Sequence, residues 1–338
     1  MREVCPGRVL LTPVEARSTA ERALAGMGYA SDDVQILADH MLDAALCGYE
    51  YSGLPKILNV AEQRSIRLPA TAMFLIYETP VSARFHGGGE NGMLTMHRAT
   101  KVAIEKANAH GFAVVGVNNT WMSGRGSFYV EMLAREGLIG IHTVSSRQQV
   151  APPGGALPAL GTNPIAFGFP TENEPLLIDL GTSAIMFTDL ALRVRRGELL
   201  PEGVAIDADG SPTRDPLLAS LGAVLPFGGH KGFALAMAMQ ALGVLAGSGE
   251  DSEKSAGYLI IAFKPDLMMP LADYRRELSA NVARIKATPL QPGIEEIRIP
   301  SERSLRERAH NRKKGIVIDI DILRALEKLG GSEISSFS

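Results

Sequence analysis

Cysteine is scarce: Cys5 and Cys47 are the only two in 338 residues. That is too few for a disulfide framework, and a reducing compartment is expected. Neither sign of charge dominates, with 34 Lys and Arg against 37 Asp and Glu and a net charge of -3. A surface of that balance gives no signal for nucleic acid or another polyanion. Long apolar runs are also missing. The longest, 233–245, is broken by Gln240; it is too short to span a bilayer and reads as a buried helix. Residues 1–11 have no apolar signal-peptide core with a clean cleavage site. These absences point to a soluble, cytoplasmic protein with no membrane or nucleic-acid partner. No histidines stand at i, i+4 beside a glutamate, so no metal site is expected, and no G-x-S-x-G nucleophile elbow occurs.

The chain does have enough apolar content, 46% of its residues, to bury a full core, and two domains are expected at this length. Near the N-terminus, Ser31, Asp32 and Asp33 offer an N-cap and first-turn acids. Val34, Leu37, Met41, Leu42, Ala45 and Leu46 follow at helical spacing, and Gly48 stops the run. Residues 48–56 then mix turn residues with hydroxyl and ionisable groups, including Tyr49, Tyr51, Ser52 and Lys56.

From Val81 the pattern alternates between helices and strands. Gly87, Gly89 and Gly92 spell a literal G-x-G-x-x-G before a helical stretch, 93–110. No acid stands about 20 residues on, where one would meet a ribose, so a glycine-rich turn is the better reading. A buried strand at 112–117 ends in a polar, glycine-bearing loop around Trp121, followed by a helix at 127–136 and a strand at 138–144. Loops at such strand ends are candidate ligand sites. The next strand end carries Ser146 and Arg147; this guanidinium either faces solvent or grips a phosphate.

Residues 150–183 form the centre of the pattern. Two glycine-bearing turns precede two short apolar runs, 165–169 and 176–180. The second run delivers Asp179 into a turn of Gly181, Thr182 and Ser183. Thr162 and Asn163 place short polar side chains beside freed backbone N–H groups, the chemistry of an anion cradle; tight turns between core strands are the plainer alternative. Further on, 226–232 is a glycine loop with His230 and Lys231 that opens the helix at 233–245, again anion-friendly. A strand at 257–265, a helix at 270–287, a basic segment at 300–314 with Arg303 and Arg306, and a helix at 320–329 complete the chain. Residue chemistry alone thus supports a mixed α/β protein that binds a small molecule through a phosphorylated cofactor.

The ordered motifs VAPPGG, GTNPIAFGFP, IDLGTS, LPEG and GGHKG together resemble the malate/L-lactate dehydrogenase family of non-Rossmann NAD(P)-dependent oxidoreductases, over about residues 12–329. The branch that includes the piperideine- and pyrroline-2-carboxylate reductases is the nearer resemblance. The resemblance implies an α/β (α+β) fold: a helical domain from both chain ends, 1–80 and 288–338, and a central mixed-sheet cofactor domain, 81–287. It also implies a homodimer and a small carboxylate substrate.

The family loop G-x-D-S-H-G-x-x-R falls on residues 48–56, with Ser52 in the place of the proton-donating histidine and Lys56 in that of the carboxylate-gripping arginine. Lys56 keeps the charge but loses the bidentate fork. A serine hydroxyl is no unaided acid, so Tyr51, Tyr49 or a water is left as the donor. Asp189 matches the aspartate of the imino-acid reductases, ten residues after Asp179. A protonated imine already carries its proton, so loss of the histidine with retention of Asp189 favours C=N over C=O reduction. The resemblance further assigns Thr162 to the substrate. Trp121, Ser146, Arg147, Asn163, Asp179, Gly181, His230, Lys231, Arg303 and Arg306 fall to the cofactor. Arg147, placed near an adenosine 2′-phosphate, favours NADP, with NAD the alternative.

Overall fold

The computed structural model describes residues 2–67, 70–249 and 256–331. The chain opens with a hairpin of β1 (Arg2–Cys5) and β2 (Arg8–Leu11), then α1 (Pro13–Gly26), α2 (Ser31–Leu46), a 3-10 turn (Glu50–Ser52) and α3 (Lys56–Arg67). The central part runs β3 (Phe74–Thr79), β4 (Ser82–His86), α4 (Gly92–His110), β5 (Phe112–Asn118), α5 (Gly126–Arg135), β6 (Ile139–Ser145), β7 (Ile165–Phe169) and β8 (Leu176–Leu180). It continues through α6 (Phe187–Arg196), β9 (Ala205–Ile206), α7 (Pro216–Leu221), β10 (Ala223–Val224), α8 (His230–Leu245), β11 (Gly257–Phe263) and α9 (Leu271–Lys286). The last elements are α10 (Glu302–Lys314), β12 (Ile316–Asp319) and α11 (Ile320–Leu329).

Local chemistry sets many of these ends. Thr12 and Glu15 form a reciprocal capping box on α1, with Pro13 at the first position. Asn91 caps α4 through Met93 N, and Gly111 ends it at φ 83. On α2 the expected cap is displaced by one residue. Ala30 occupies the N-cap without a side-chain bond, and Ser31 is already helical, while Asp32 and Asp33 do lie in the first turn. The G-x-G-x-x-G run is a packing device. A Cβ on Gly87 would stand 2.8 Å from the Asn118 and Asn119 carbonyl oxygens, and one on Gly88 would stand 2.1 Å from Thr71 O.

The two chain ends meet. β12 pairs with β2 in a three-stranded antiparallel sheet, β1-β2-β12, and one apolar core joins α1 and α2 to Ile316, Ile318, Leu323 and Leu326. The large sheet is seven-stranded and mixed, in the order β3-β4-β5-β11-β6-β7-β8. Only β4 and β5 run parallel; β11 enters antiparallel between β5 and β6. That arrangement is no doubly wound nucleotide fold. Hydrogen bonding puts β3 in this sheet with β4, so the expected division at 80/81 cuts a hairpin and the change of sheet lies before Phe74. No helix among the described residues is long and apolar enough to cross a membrane.

Candidate active site

Three glycine-bearing segments converge through backbone hydrogen bonds. Thr182 N and Oγ1 both donate to Thr162 O, at 2.8 and 3.0 Å. Phe227 N in turn donates to Thr182 O at 3.1 Å. The turns at 161–163 and 181–183 and the loop before α8 are therefore one knot. At Gly181 a Cβ would stand 2.8 Å from Met186 Sδ, so a larger residue would displace that flexible side chain.

Within the knot, the polar residues divide into structural and open ones. Asn163 is wholly buried at φ 33. Its Oδ1 accepts from Ser146 N, and its Nδ2 donates to Ala236 O and Gln240 Oε1, so its side chain ties β6 to α8. Asp179 receives Ser127 N at 2.7 Å and so caps α5. Trp121 is 7% exposed, packs in the N-terminal core and donates its indole N–H to Gly89 O at 2.9 Å. The Asn163 and Trp121 side chains serve the fold, whereas Asp179 is exposed and uses only its Oδ2 in this bond; the Trp121 loop becomes more exposed in its continuation through Arg125.

At the start of α8, most backbone donors are already used: Lys231 N bonds Gly228 O and Gly232 N bonds Phe227 O. The anion-friendly groups are side chains. His230 and Lys231 are exposed at the first turn, behind Gly228 and Gly229 at φ 53 and 59. Arg147 is exposed too, and Lys231, Arg147 and Arg303 pair with no carboxylate among the described residues. Arg306 differs, being held by Glu296 through two bonds of 2.8 Å and by Glu302. Exposed cations without a carboxylate partner are the side chains that suit the phosphates of a nicotinamide dinucleotide; of these, His230 and Lys231 lie at the glycine turn itself.

Asp179 connects this knot to the loop 48–56. The α5 terminus that it caps carries Arg125, whose guanidinium bonds Asp43 at 2.9 Å and Ser127 Oγ at 3.0 Å. The same guanidinium lies 4.6 Å from the Tyr49 ring centroid, and Arg303 lies 5.3 Å from that centroid. Tyr49 is thus pinned between two cations. One turn on, the Lys56 ammonium sits 5.0 Å over the Tyr51 ring. Lys56 meets no acid among the described residues, and burial lowers its pKa from the usual lysine value. Asp189 lies exposed in the first turn of α6, with no ion-pair partner among the described residues. A cavity of about 190 Å³ lies against this loop, lined by Gly48, Glu50, Leu54, Pro55, Asn311 and β12.

With the glycine knot and the cationic loop joined in this way, the comparisons with known proteins have a frame. The malate/L-lactate dehydrogenase model matches residues 11–327. The chain belongs to that family. It is an NAD(P)-dependent oxidoreductase. It is 30% identical over 334 residues to the malate/(S)-sulfolactate dehydrogenase of Methanothermus fervidus, covering 95% of this chain and 97% of that one. It is 38% identical over 239 residues to the delta(1)-pyrroline-2-carboxylate reductase 1 of Burkholderia ambifaria, covering 67% and 69%. The solved delta1-piperideine-2-carboxylate reductase of Pseudomonas syringae pvar. tomato superposes with a TM-score of 0.85 at 28% identity, over 95% of this chain and 99% of that one.

A buried ion cluster behind the site was not legible in the sequence. Arg308, 5% exposed, bonds Glu131 at 2.7 and 2.8 Å and Asp43 at 3.0 Å. Asp43 also takes Arg125, so α10, α2 and α5 are locked together directly behind Tyr49. In a basic segment such as 300–314, position 308 looks like any other solvated arginine. His40 belongs to the same support: its Nε2 accepts Arg125 N at 3.0 Å. Burial pushes its pKa down to about 3, which keeps the ring neutral.

Proposed function

We propose that this member of the family reduces the C=N bond of a small cyclic imino carboxylate of the pyrroline- or piperideine-2-carboxylate type, with NADPH preferred over NADH. The observation that carries the reading is the loop 48–56. Ser52 replaces the histidine donor of the family pattern, so the loop suits a substrate that can arrive already protonated, and four residues on Lys56 is a partly buried cation without an acidic partner among the described residues. A desolvated ammonium is stabilised by an anionic ligand, and a carboxylate on C2 supplies one. When bound, reduced nicotinamide supplies a hydride to C2. Lys56 and Thr162 hold the carboxylate, and the exposed Asp189 carboxylate favours the cationic iminium over the neutral imine. Lys231 and His230 take the diphosphate side of the cofactor, and Arg147 its 2′-phosphate, which is the basis of the NADPH preference.

A second reading, reduction of a 2-oxo acid, is favoured by relatives named malate and sulfolactate dehydrogenase that match over nearly the whole chain. The protein acts as a homodimer in either case. The free edge of the large sheet, β3, exposes Phe74, Leu75, Ile76 and Tyr77 together, a liability that a second copy covers. The test is cofactor oxidation at 340 nm against piperideine-2-carboxylate, pyrroline-2-carboxylate, pyruvate and oxaloacetate, with NADPH and with NADH. Turnover of the imines, faster with NADPH, is expected; turnover of the oxo acids alone overturns the C=N reading.

A further inference from the structure

The geometry points to Tyr51 as the proton donor of this enzyme, with Lys56 as the group that stabilises the phenolate left behind. The inference rests on the proposed reduction of a small carboxylate. Two tyrosines, Tyr49 and Tyr51, precede the position where the histidine is missing, and their surroundings differ. Tyr49 is clamped between Arg125 and Arg303, and Arg125 is itself fixed by Asp43 and Ser127. Tyr49 is therefore a peg that joins the loop to α5 and α10. Tyr51 directly precedes Ser52, and its ring is partly exposed. No described residue hydrogen-bonds its hydroxyl, which leaves the O–H free to donate. One face of the ring carries the Lys56 ammonium at 5.0 Å from the centroid.

A partly desolvated cation on the face of a phenol favours the ring more as it gains negative charge, because charge–charge attraction then adds to charge–quadrupole attraction. Lys56 has no acidic partner among the described residues, so its charge is shared only between this ring and the substrate carboxylate. With hydride added to C2, the π pair of the double bond moves onto its oxygen or nitrogen. That atom takes the Tyr51 hydroxyl proton, and the phenolate recovers one from solvent at its exposed edge. For a ketone the donation is required at every pH. For an imine it is required only when the nitrogen is not already protonated, so dependence on Tyr51 grows as pH rises. Ser52 is then a small neighbour that leaves room for the larger ring, and Lys56 is a positioning residue for Tyr51 as well as a carboxylate partner.

The test compares wild type, Tyr51→Phe, Tyr49→Phe and Lys56→Met in two ways: steady-state reduction of pyruvate and of pyrroline-2-carboxylate between pH 6 and 9, and calorimetric binding of oxamate, a carboxylate that is not reduced, to the cofactor-loaded protein. Tyr51→Phe is expected to lower kcat by about 100-fold or more wherever a proton must be supplied, with a loss on the imine that increases with pH. Its oxamate Kd should stay within about threefold of wild type, because the hydroxyl is a donor and not an anchor. Tyr49→Phe should keep both arms of the pH profile. In the double variant Tyr51→Phe/Lys56→Met, kcat should fall no further than in Tyr51→Phe, since the cation acts on the rate through the phenol. Tyr51→Phe that retains over a third of wild-type kcat across the pH range, or that weakens oxamate binding tenfold, refutes the donor assignment alone. A wild type that reduces nothing in the panel refutes the proposed function, and the oxamate arm still reports whether Tyr51 is merely a binding residue.

Discussion

Acidification from pH 6 to pH 5 should destabilise this protein through its buried histidines, and the amount can be worked out. His40 and His142 are 2% exposed, and burial lowers their pKa values to about 3 and about 4. His97 is lowered to about 4 by burial and by the nearby Lys101, but it is more exposed and is discounted here. The unfolded chain binds these protons near the ordinary histidine value of about 6.5, whereas the folded chain does not. The stabilisation is therefore complete above the unfolded pKa and is lost as pH falls from it toward the folded values. Each fully shifted site loses about 1 kcal/mol between pH 6 and 5, so the pair loses about 2 kcal/mol. That is a large share of an ordinary folding free energy of about 5–15 kcal/mol. For a chain of this size it corresponds to a Tm lower by on the order of 5 °C. Differential scanning fluorimetry at pH 7, 6 and 5, on wild type, His40→Gln and His142→Asn, measures it. Each substitution should remove about half of the pH-dependent fall. Equal Tm values at pH 6 and 5, or variants that keep the full slope, would refute the reasoning.

Other outcomes follow from the site's supports. Arg308→Leu leaves Asp43 with Arg125 alone and Glu131 with the more exposed Arg135 alone, and should cost about 3 kcal/mol, seen in urea denaturation as a lower midpoint. Asp179→Ala removes the cap on Ser127 N and should cost about 1 kcal/mol, with a further loss of turnover as the Arg125 segment loosens; unchanged stability and rate would show that the cap is not structural. Lys56→Met should raise KM for the carboxylate substrate by about tenfold or more, whereas Lys56→Arg should recover much of it because the charge returns. Arg147→Ala should weaken NADPH by about tenfold and leave NADH nearly unchanged in fluorescence titration; equal effects on both would remove Arg147 from the 2′-phosphate.

Much of the scaffold could be read from local pattern. The runs at 165–169 and 176–180 became β7 and β8 with those same limits, because apolar residues there are bounded by proline, glycine and acidic turns. The helices α4, α9 and α11 were visible in their apolar periodicity. Pairings across long sequence distances were not. β1, β2 and β12 are four residues each, and no local signal announces that Ile316 will pair with Leu11. Phe74–Thr79 was hidden for a different reason: its apolar residues end up exposed on a sheet edge, so burial did not shape their pattern.

The candidate site was half legible for similar reasons. Glycine turns and the loop 48–56 stand out by composition, and the structure joins them. What a side chain does with its hydrogen bonds does not stand out. Asn163 looks like a ligand group in sequence, yet its Oδ1 is taken by Ser146 N, and Asp179 commits one carboxylate oxygen to Ser127 N. Arg125 and Arg308 look like surface charges, yet their partners Asp43 and Glu131 lie far along the chain.

The most direct measurement is a competition. Equimolar pyrroline-2-carboxylate and pyruvate are offered with NADPH deuterated at the transferable C4 position, and the products are read by mass spectrometry. Deuterium at C2 of proline, with little in lactate, is the expected result and places hydride transfer on the C=N bond. Deuterium in lactate alone would contradict the imine assignment and return the site to 2-oxo acids.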